Sequence, residues 1–405
     1  MLGEDFNLRH LRAFAAVCDQ GGISAASDLV HLSQPAITQA ISKLERLFET
    51  RLFQRSSKGM FPTEAALVLL GRTHRAFDFL ASVTDLPGRR ERVDPGFLSL
   101  VTSTQLRALI AVAAHGNFSV AARALAIAQP SLHRAARDLE ALASQVFYLK
   151  SAKGIELTPA AEALARAAKL AFSEMDQAIE EIAEVNGKKA GTLRIGSLPL
   201  SLSAILPDAL NEITAQRPAL RVSVMDAPFA ELLYALRNGE IDILLGALRD
   251  PDPAPDVVQE PLFDDRLCVV CRPGHPLLTE REPDLDRLAA YPWVVARGKT
   301  PTRAHFDRFF ASVQSLERGP AVESNSLVMV RRILQGSNKL SMISLNQARE
   351  HLEAGTLGRV AIDLRDSPRR IGLTHRQNWQ PTRAQSAFLE IIRKVAKSLP
   401  DDQAL

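Results

Sequence analysis

A repeat within the chain limits what it can fold into more than any other feature of the sequence. When the 405-residue sequence is shifted by 95 positions, residues 8–70 fall on residues 103–165 without a gap, and Gln34-Pro35 meets Gln129-Pro130. Because one register holds throughout, each copy should be a complete small folding unit. The chain is therefore expected to contain two such units in tandem.

The first copy has the pattern of short helices. An amphipathic helix ends at Gly21-Gly22, and a later helix should begin at Ser33 as the cap, with Pro35 in its first turn. That helix would bury Ile37 and Ile41 and leave a polar outer face. Two helices joined by a tight turn, the second with a polar outer face, have the geometry that fits the major groove of DNA.

The residues of both copies match a family signature at many points. The motif Ser24-x-Ala26-Ser27-x-x-Val30-x-x-Ser33-Gln34-Pro35-Ala36, followed by Leu44-Glu45 and Leu52-Phe53-x-Arg55, resembles the winged helix-turn-helix of LysR-type transcription regulators. The second copy is similar through Ser119-x-Ala121-Ala122 and Gln129-Pro130. The resemblance implies a sequence-specific DNA-binding regulator controlled by a small molecule. Members of the family usually carry one such domain, so the second copy is a departure, and so is Glu49, where the family usually has Gly.

Positive charge is concentrated around the predicted recognition helix of the first copy. The whole chain has a net charge of only +3, whereas residues 33–58 hold five basic against two acidic side chains. Glutamine amides can pair with an adenine edge, and basic side chains grip backbone phosphates. Double-stranded DNA is the expected partner, and the candidate DNA-binding residues are Ser33, Gln34, Pro35, Thr38, Gln39, Lys43, Arg55 and Lys58.

The second copy allows two interpretations. It either contacts DNA and lengthens the operator, or serves as a spacer and dimerisation module. Ala128 replaces the capping Ser, and the start of the wing becomes the more apolar Phe147-Tyr148-Leu149-Lys150. Both changes favour the spacer.

One long helix is predicted after the second copy. Residues 161–185 contain no Pro or Gly, and an apolar seam with heptad spacing runs along them. Packing within one chain could use this seam, but its length and regularity favour pairing of two chains, as the resemblance also implies, in a homodimer or homotetramer. The proposed dimerisation residues are Leu164, Ala168, Ala171, Met175, Ala178 and Ile182.

From Gly191 onward, short β runs alternate with helices, which predicts a parallel sheet with crossover helices. The segments Gly191–Gly196 and Arg272–Pro276 resemble the LysR-type effector domain, which is similar to two-lobed periplasmic solute-binding proteins. Leu245–Arg249 and Gln259–Asp265 resemble, more narrowly, the galactose-binding-protein-regulator subgroup.

Ligands of such lobes sit at the carboxyl ends of strands, beside helix N-termini, where unpaired N–H groups suit an acceptor-rich molecule. The effector is expected to be a sugar or an organic or aromatic acid, although Ser and Thr before helices can also be simple caps. The candidate effector-binding residues are Ser197, Leu198, Pro199, Ser201, Thr300, Pro301, Thr302, Ser324 and Asn325.

The predicted fold is multidomain, with two tandem all-α winged helix-turn-helix domains, a long linker helix and a two-lobed α/β periplasmic-binding-protein-like domain. The expected boundaries are 1–84 for the first DNA-binding domain, 85–96 for a linker, 97–160 for the second domain, 161–188 for the linker helix and 189–405 for the effector domain. Within the last, lobe I should comprise about 189–267 and 362–405, and lobe II about 268–361.

Other function classes find little support. Motifs typical of hydrolases, nucleotide binding or metal sites do not occur, so no enzyme activity, cofactor or metal is expected. Cys268 and Cys271 would point to opposite faces of a strand. The start of the chain does not resemble a signal peptide and no run is apolar enough to span a membrane, which predicts a cytoplasmic protein. A solute-binding protein without specific DNA binding is the alternative, since the C-terminal half alone would fit one.

Overall fold

The computed structural model describes residues 6–56, 59–83, 96–152, 154–188, 190–311, 320–364 and 369–399. They form two compact units, the first reaching Thr192 and including Ala219–Arg221, the second containing the rest. Among these residues, no helix combines the length and apolarity needed to cross a membrane.

The first unit contains the two copies of the repeat. The first copy consists of α1 (Leu8–Gln20), α2 (Ile23–Val30), α3 (Gln34–Phe48), β1 (Phe53–Ser56), β2 (Gly59–Pro62) and α4 (Glu64–Ala81). The second consists of α5 (Phe97–Leu100), α6 (Ser103–His115), α7 (Phe118–Ala124), α8 (Gln129–Ala143), β3 (Tyr148–Ser151), β4 (Gly154–Leu157) and α9 (Pro159–Val185). The linker expected at 85–96 falls almost wholly outside the described residues.

In each copy, an antiparallel two-stranded wing separates the recognition helix from the last helix. The wing pairs β1 with β2 in the first copy and β3 with β4 in the second. The prediction of all-α domains is wrong in this respect. An equivalent carboxylate holds the residue just before the hairpin in both copies: Glu45 accepts from Leu52 N at 2.9 Å, and Glu140 accepts from Phe147 N at 2.7 Å. The two copies thus share their local contacts as well as their helix bounds.

Helices α4 and α9 pack side by side in the centre of the first unit. The six residues proposed for dimerisation lie in this interface and are at most 1% exposed. The prediction that their seam pairs two chains is therefore corrected, because α4 of the same chain already covers it. Packing within one chain, the alternative left open by the sequence, is the arrangement observed.

The second unit is built on two five-stranded sheets. The first sheet has the order β6-β5-β7-β14-β8, with β5 (Ala190–Ser197), β6 (Ala219–Asp226), β7 (Ile243–Ala247), β8 (Val257–Asp265) and β14 (Arg369–Arg376). The second has the order β11-β10-β12-β9-β13, with β9 (Leu267–Cys271), β10 (Trp293–Val295), β11 (Pro320–Glu323), β12 (Leu340–Ser344) and β13 (Gly358–Arg359). The helices of this unit are α10 (Pro199–Ala204), α11 (Leu206–Gln216), α12 (Phe229–Arg237), α13 (Leu285–Ala289), α14 (Pro301–Phe309), α15 (Leu327–Gln335), α16 (Leu345–Glu353) and α17 (Arg383–Lys397).

Both sheets are mixed, which corrects the expectation of a parallel sheet. Strand β5 runs parallel to β7, but β14 returns antiparallel to both β7 and β8. In the second sheet β10 is parallel to β11 and β12, whereas β9 is antiparallel to β12. The chain therefore passes from one sheet to the other twice, between β8 and β9 and again between β13 and β14.

Buried apolar clusters fill both faces of the second sheet. Trp293 is fully buried, packs edge-on against Phe306 and Phe310, and donates to Leu288 O at 3.1 Å. Cys268 and Cys271 belong to different clusters on the two faces of β9, as the alternation of a strand requires.

Candidate functional site

Helix α3 separates an apolar face from a polar one. Ile37, Ile41 and Leu44 are buried against the core of the first copy. On the outer face, Thr38 is half-buried and the other predicted DNA-contacting residues of this helix are exposed, namely Ser33, Gln34, Pro35, Gln39 and Lys43. Arg55 lies on β1, and Lys58 falls outside the described residues. The helix thus presents one continuous polar surface of the kind that enters a major groove.

Local hydrogen bonds orient part of this surface. The Thr38 hydroxyl donates to Gln34 O at 3.0 Å, and the Gln34 amide donates to Ser24 Oγ at 3.4 Å. Ser33 occupies the N-cap position, but its side chain makes no capping hydrogen bond. The predicted cap is therefore corrected, and the Ser33 hydroxyl is not committed to the helix.

Helix α3 ends where the backbone turns left-handed. Glu49 has φ of +52°, and its N–H bonds to Glu45 O and Arg46 O. Gly adopts this conformation at no steric cost, which explains why a Gly would suit the position better. Ser144 occupies the equivalent position of the second copy with φ of +51°.

Helix α8 repeats this geometry with different chemistry. Gln129, Arg134 and Arg137 are exposed on its outer face. His133 stacks on Phe118 with ring centroids 4.2 Å apart, and its Nε2 lies 3.4 Å from the Gln129 amide. Arg134 and Arg137 stand where the first copy has Gln39 and Ser42, whereas Asp138 and Ala141 stand where it has Lys43 and Arg46. The positive charge of this face is therefore moved toward the start of the helix rather than increased.

In the second unit, two adjoining cavities of about 520 and 470 Å³ lie between the end of β7 and α14. Arg249, Pro301 and Ala304 line both of them. The cleft so formed, which we call the basic cleft, has one wall from the first sheet and one from the segment that follows β10 in the second. Of the predicted effector residues, Thr300 and Pro301 line it.

Cationic side chains dominate the basic cleft. Arg249 stacks over the Phe229 ring at 4.3 Å, and burial lowers the pKa of its guanidinium. Lys299 lines the same cavity from a residue with φ of +63°. Arg303 is already held by Asp307 at 2.8 Å and Glu323 at 2.6 Å. Arg249 was not among the predicted effector residues, although it lies two residues beyond the end of β7, close to the kind of strand end from which the other candidates were chosen.

Most of the remaining predicted effector residues have structural partners. Ser197 and Ser201 are fully buried. Ser197 Oγ donates to Leu198 O at 3.3 Å, whereas Ser201 Oγ has no hydrogen-bond partner among the described residues. Thr302 Oγ1 accepts from Arg369 at 2.6 Å, and Asn325 Oδ1 accepts from Arg297 N at 2.9 Å. Ser324, whose hydroxyl accepts from Ser326 N at 3.1 Å, likewise supports a turn, whereas Leu198 and Pro199 lie half-buried at the start of α10.

Comparison with known proteins gives consistent matches. A family model described as LysR substrate binding domain matches residues 186–397, and one described as bacterial regulatory helix-turn-helix protein, lysR family, matches residues 8–67 and 103–162. The HTH-type transcriptional regulator GalR of Pseudomonas putida is 32% identical over 96% of this chain and 97% of its own length. PcaQ of Agrobacterium fabrum is 25% identical over 73% of this chain and 95% of its own. The solved structure of full-length CbnR complexed with its target DNA aligns with a TM-score of 0.48 at 20% identity, covering 72% of this chain and 98% of that one.

Proposed function

The chain belongs to the LysR family of transcription regulators, and from this we propose that α3 reads the bases of an operator while the basic cleft binds the effector. It is a DNA-binding regulator with a C-terminal effector-binding domain, and its relatives are regulators rather than enzymes. A solute-binding protein without specific DNA binding is not favoured, because the helix-turn-helix match precedes the effector domain. We place its action in the cytoplasm, where the DNA is, as a homodimer or homotetramer.

The observation that carries the DNA-binding proposal is the exposed outer face of α3 beside a wing. Gln34 and Gln39 can each offer a donor and an acceptor to an adenine edge, and the Thr38 methyl can contact a thymine methyl. Ser33, Pro35 and Lys43 border this face, where hydroxyl and ammonium groups suit backbone phosphates. We assign the same role to Arg55 of β1 and to Lys58, which lies outside the described residues. Base contacts set the sequence preference, and phosphate contacts set affinity and salt dependence.

Thr38→Ala and Gln34→Ala are expected to weaken binding to the operator by about 1–3 kcal/mol while leaving binding to random DNA unchanged. Fluorescence anisotropy with both duplexes at one salt concentration measures the difference. Thr214→Ala is the matched control, since this exposed hydroxyl on α11 also donates to the backbone four residues earlier, to Leu210 O at 2.6 Å. An equal loss on both duplexes would remove Thr38 and Gln34 from the base-reading face.

For the effector we propose a small organic or aromatic acid. Arg249 and Lys299 face the cleft with positive charge, and a guanidinium binds a carboxylate in a planar, two-point contact. The Phe229 ring holds the Arg249 guanidinium in a cation–π contact. Thr300 and Pro301 begin α14 in the cleft wall, so the start of this helix favours a negatively charged ligand. Asp307 and Glu323 of the same cavity are held by Arg303, so a carboxylate can pair with Arg249 or Lys299, whereas a neutral sugar brings no charge to either.

Arg249→Gln is expected to weaken carboxylate binding by at least tenfold while operator affinity without effector stays the same, because a hydrogen bond to a charged group contributes about 1.5–3 kcal/mol. A thermal-shift panel of small aliphatic and aromatic carboxylates, with galactose as the neutral comparison, identifies the ligand class before the variant is tested. Arg221→Gln, an exposed arginine on β6, is the control. Stabilisation by galactose alone would contradict the acid proposal.

A further inference from the structure

The interface between α4 and α9 contains a buried ion network. Arg72 is 4% exposed, and its guanidinium reaches Glu174 at 2.8 Å, Gln177 at 2.5 Å and Glu181 at 2.7 Å. Arg75 adds a second bond to Glu174 at 3.0 Å. Burial alone lowers the pKa of Arg72, but the hydrogen bond to Glu181 and the charges of Glu174 and Glu181 outweigh it, so the pKa is raised.

The network joins the last helix of the first copy to the last helix of the second, and the two helices run antiparallel. Arg72 of α4 contacts Gln177 of α9, and Arg75, three residues later on α4, contacts Glu174, three residues earlier on α9. Near the start of α4, Thr50 Oγ1 meets Asn186 Oδ1 at 3.3 Å, just after the end of α9. An antiparallel pair of equivalent helices places the two copies about an approximate two-fold axis.

The buried charges favour the pairing of α4 with α9 over the pairing of two identical helices. In the 95-residue register, the α4 counterpart of Glu174 is Phe79, and the α9 counterparts of Arg72 and Arg75 are Ala167 and Leu170. Two copies of α4 would therefore bury arginines without carboxylates, and two copies of α9 would bury Glu174 without a cation. Since an uncompensated buried charge is strongly unfavourable, α4 selects α9 over a second α4.

Contacts at the junction hold the partner helix within the same chain. Arg12 of α1 donates to Ser99 O at 2.7 Å and also to Leu98 O, and Ser103 Oγ bonds to Phe6 O. Phe97 is 1% exposed in the common core. A short connection between the end of α4 and α5 also gives the second copy a high effective concentration beside the first.

The second copy keeps part of what a DNA-reading domain needs. The loss of a capping Ser at Ala128 was one of the two changes that favoured a spacer, but Ser33 makes no capping bond in the first copy either. The more apolar start of the wing remains, and Asp138 stands where the first copy has Lys43. Helix α8 starts and ends at the positions equivalent to α3 and exposes Arg134 and Arg137. The wing still places Lys150 at the surface.

We propose that a single chain is a complete pair of DNA readers, in which α3 and α8 occupy two adjacent and unequal subsites. The proposal depends on the DNA-binding function proposed above. Gln34, Thr38 and Gln39 on α3 favour A·T pairs, whereas Arg134 on α8 can bind O6 and N7 of guanine in two-point fashion. The subsite under α8 should therefore contain a G·C pair that the subsite under α3 lacks, and adjacent subsites should not be inverted repeats of each other.

Selection of duplexes from a randomised library by the full-length chain tests this proposal. The expected motif contains two neighbouring subsites of different sequence. Arg134→Gln, which gives α8 the side chain found at the equivalent position of α3, should change the base preference in one subsite, with at least a tenfold loss for the guanine-containing motif. Gln39→Arg, the reciprocal change, should alter only the other subsite.

The outcomes separate this proposal from the DNA-binding function on which it depends. No enrichment over the starting library contradicts sequence-specific DNA binding itself. Enrichment of adjacent inverted repeats would overturn the intrachain pair if Gln39→Arg alters both repeats and Arg134→Gln alters neither. Such a result requires α3 helices from two chains, but it still supports a DNA-binding regulator. A single subsite unaffected by Arg134→Gln overturns the pair as well and returns the second copy to the role of spacer.

Discussion

Arg72→Ala is expected to lower the free energy of unfolding of the first unit by about 3–5 kcal/mol, since it leaves carboxylates in the α4–α9 interface without their main cation. Glu174 is 3% exposed and keeps only Arg75, while Glu181 loses its bond to the Arg72 Nε. Circular dichroism reports the helices of both units, whereas the fluorescence of Trp293 and Trp379 reports the second unit alone, so a transition seen only by circular dichroism belongs to the first unit. The transition of the second unit should not move.

Two controls isolate the buried network. Arg287→Ala removes an arginine that also bonds a carboxylate, Glu280, but at the surface, and its unfolding transition should coincide with that of the unchanged chain. The triple variant Arg72→Met, Glu174→Leu, Glu181→Met should recover most of the lost unfolding free energy, because apolar residues of similar volume can replace a buried ion network. If Arg72→Ala unfolds at the same urea concentration as Arg287→Ala, the network does not hold the two copies together.

The first unit shows how far sequence patterns reach. Caps, turns and apolar periodicity are local signals in the sequence, and they occur in both copies of the repeat. The bounds of α1–α3 and α6–α8 could therefore be predicted closely. The six seam residues of α9 were predicted to pair two chains, because their heptad spacing marks an apolar face. A heptad pattern shows that a face needs a partner, but not which helix supplies it, and here the partner was α4 of the same chain.

In the second unit, local sequence patterns did not predict the strands and the cleft that depend on contacts between distant parts of the chain. Strand β8 was missed because Gln259, Glu260 and Pro261 interrupt its apolar run, and it forms by pairing with β14, more than 100 residues away in the chain. Strand β13 spans only Gly358–Arg359, which is too short for an alternating pattern to predict. The basic cleft escaped prediction because Arg249 and Lys299 meet only after the two sheets are assembled.

Asp265→Ala is expected to destabilise the second unit by about 3–5 kcal/mol, because this fully buried carboxylate ends β8 where the chain first passes between the sheets. It accepts hydrogen bonds from Ser344 Oγ at 2.6 Å and Asn346 Nδ2 at 3.0 Å, and it forms an ion pair with Arg369. Arg369 in turn donates to Thr302 Oγ1 at 2.6 Å, at the start of α14 beside the basic cleft. One carboxylate therefore organises residues from both sheets.

Asp265→Asn separates the charge from the shape. The amide keeps the volume and one acceptor oxygen but leaves Arg369, whose side chain is 13% exposed, without a counter-charge, so most of the loss should remain. Ser344→Ala removes a single hydrogen bond to the same carboxylate and should cost about 1 kcal/mol. Thermal unfolding of the three variants, followed by the fluorescence of Trp293 and Trp379 in the second unit, gives the order Asp265→Ala, Asp265→Asn, Ser344→Ala from the largest loss to the smallest. Equal stability of Asp265→Asn and the unchanged chain would mean that the charge of Asp265 does not stabilise the fold and that Arg369 orders the start of α14 without it.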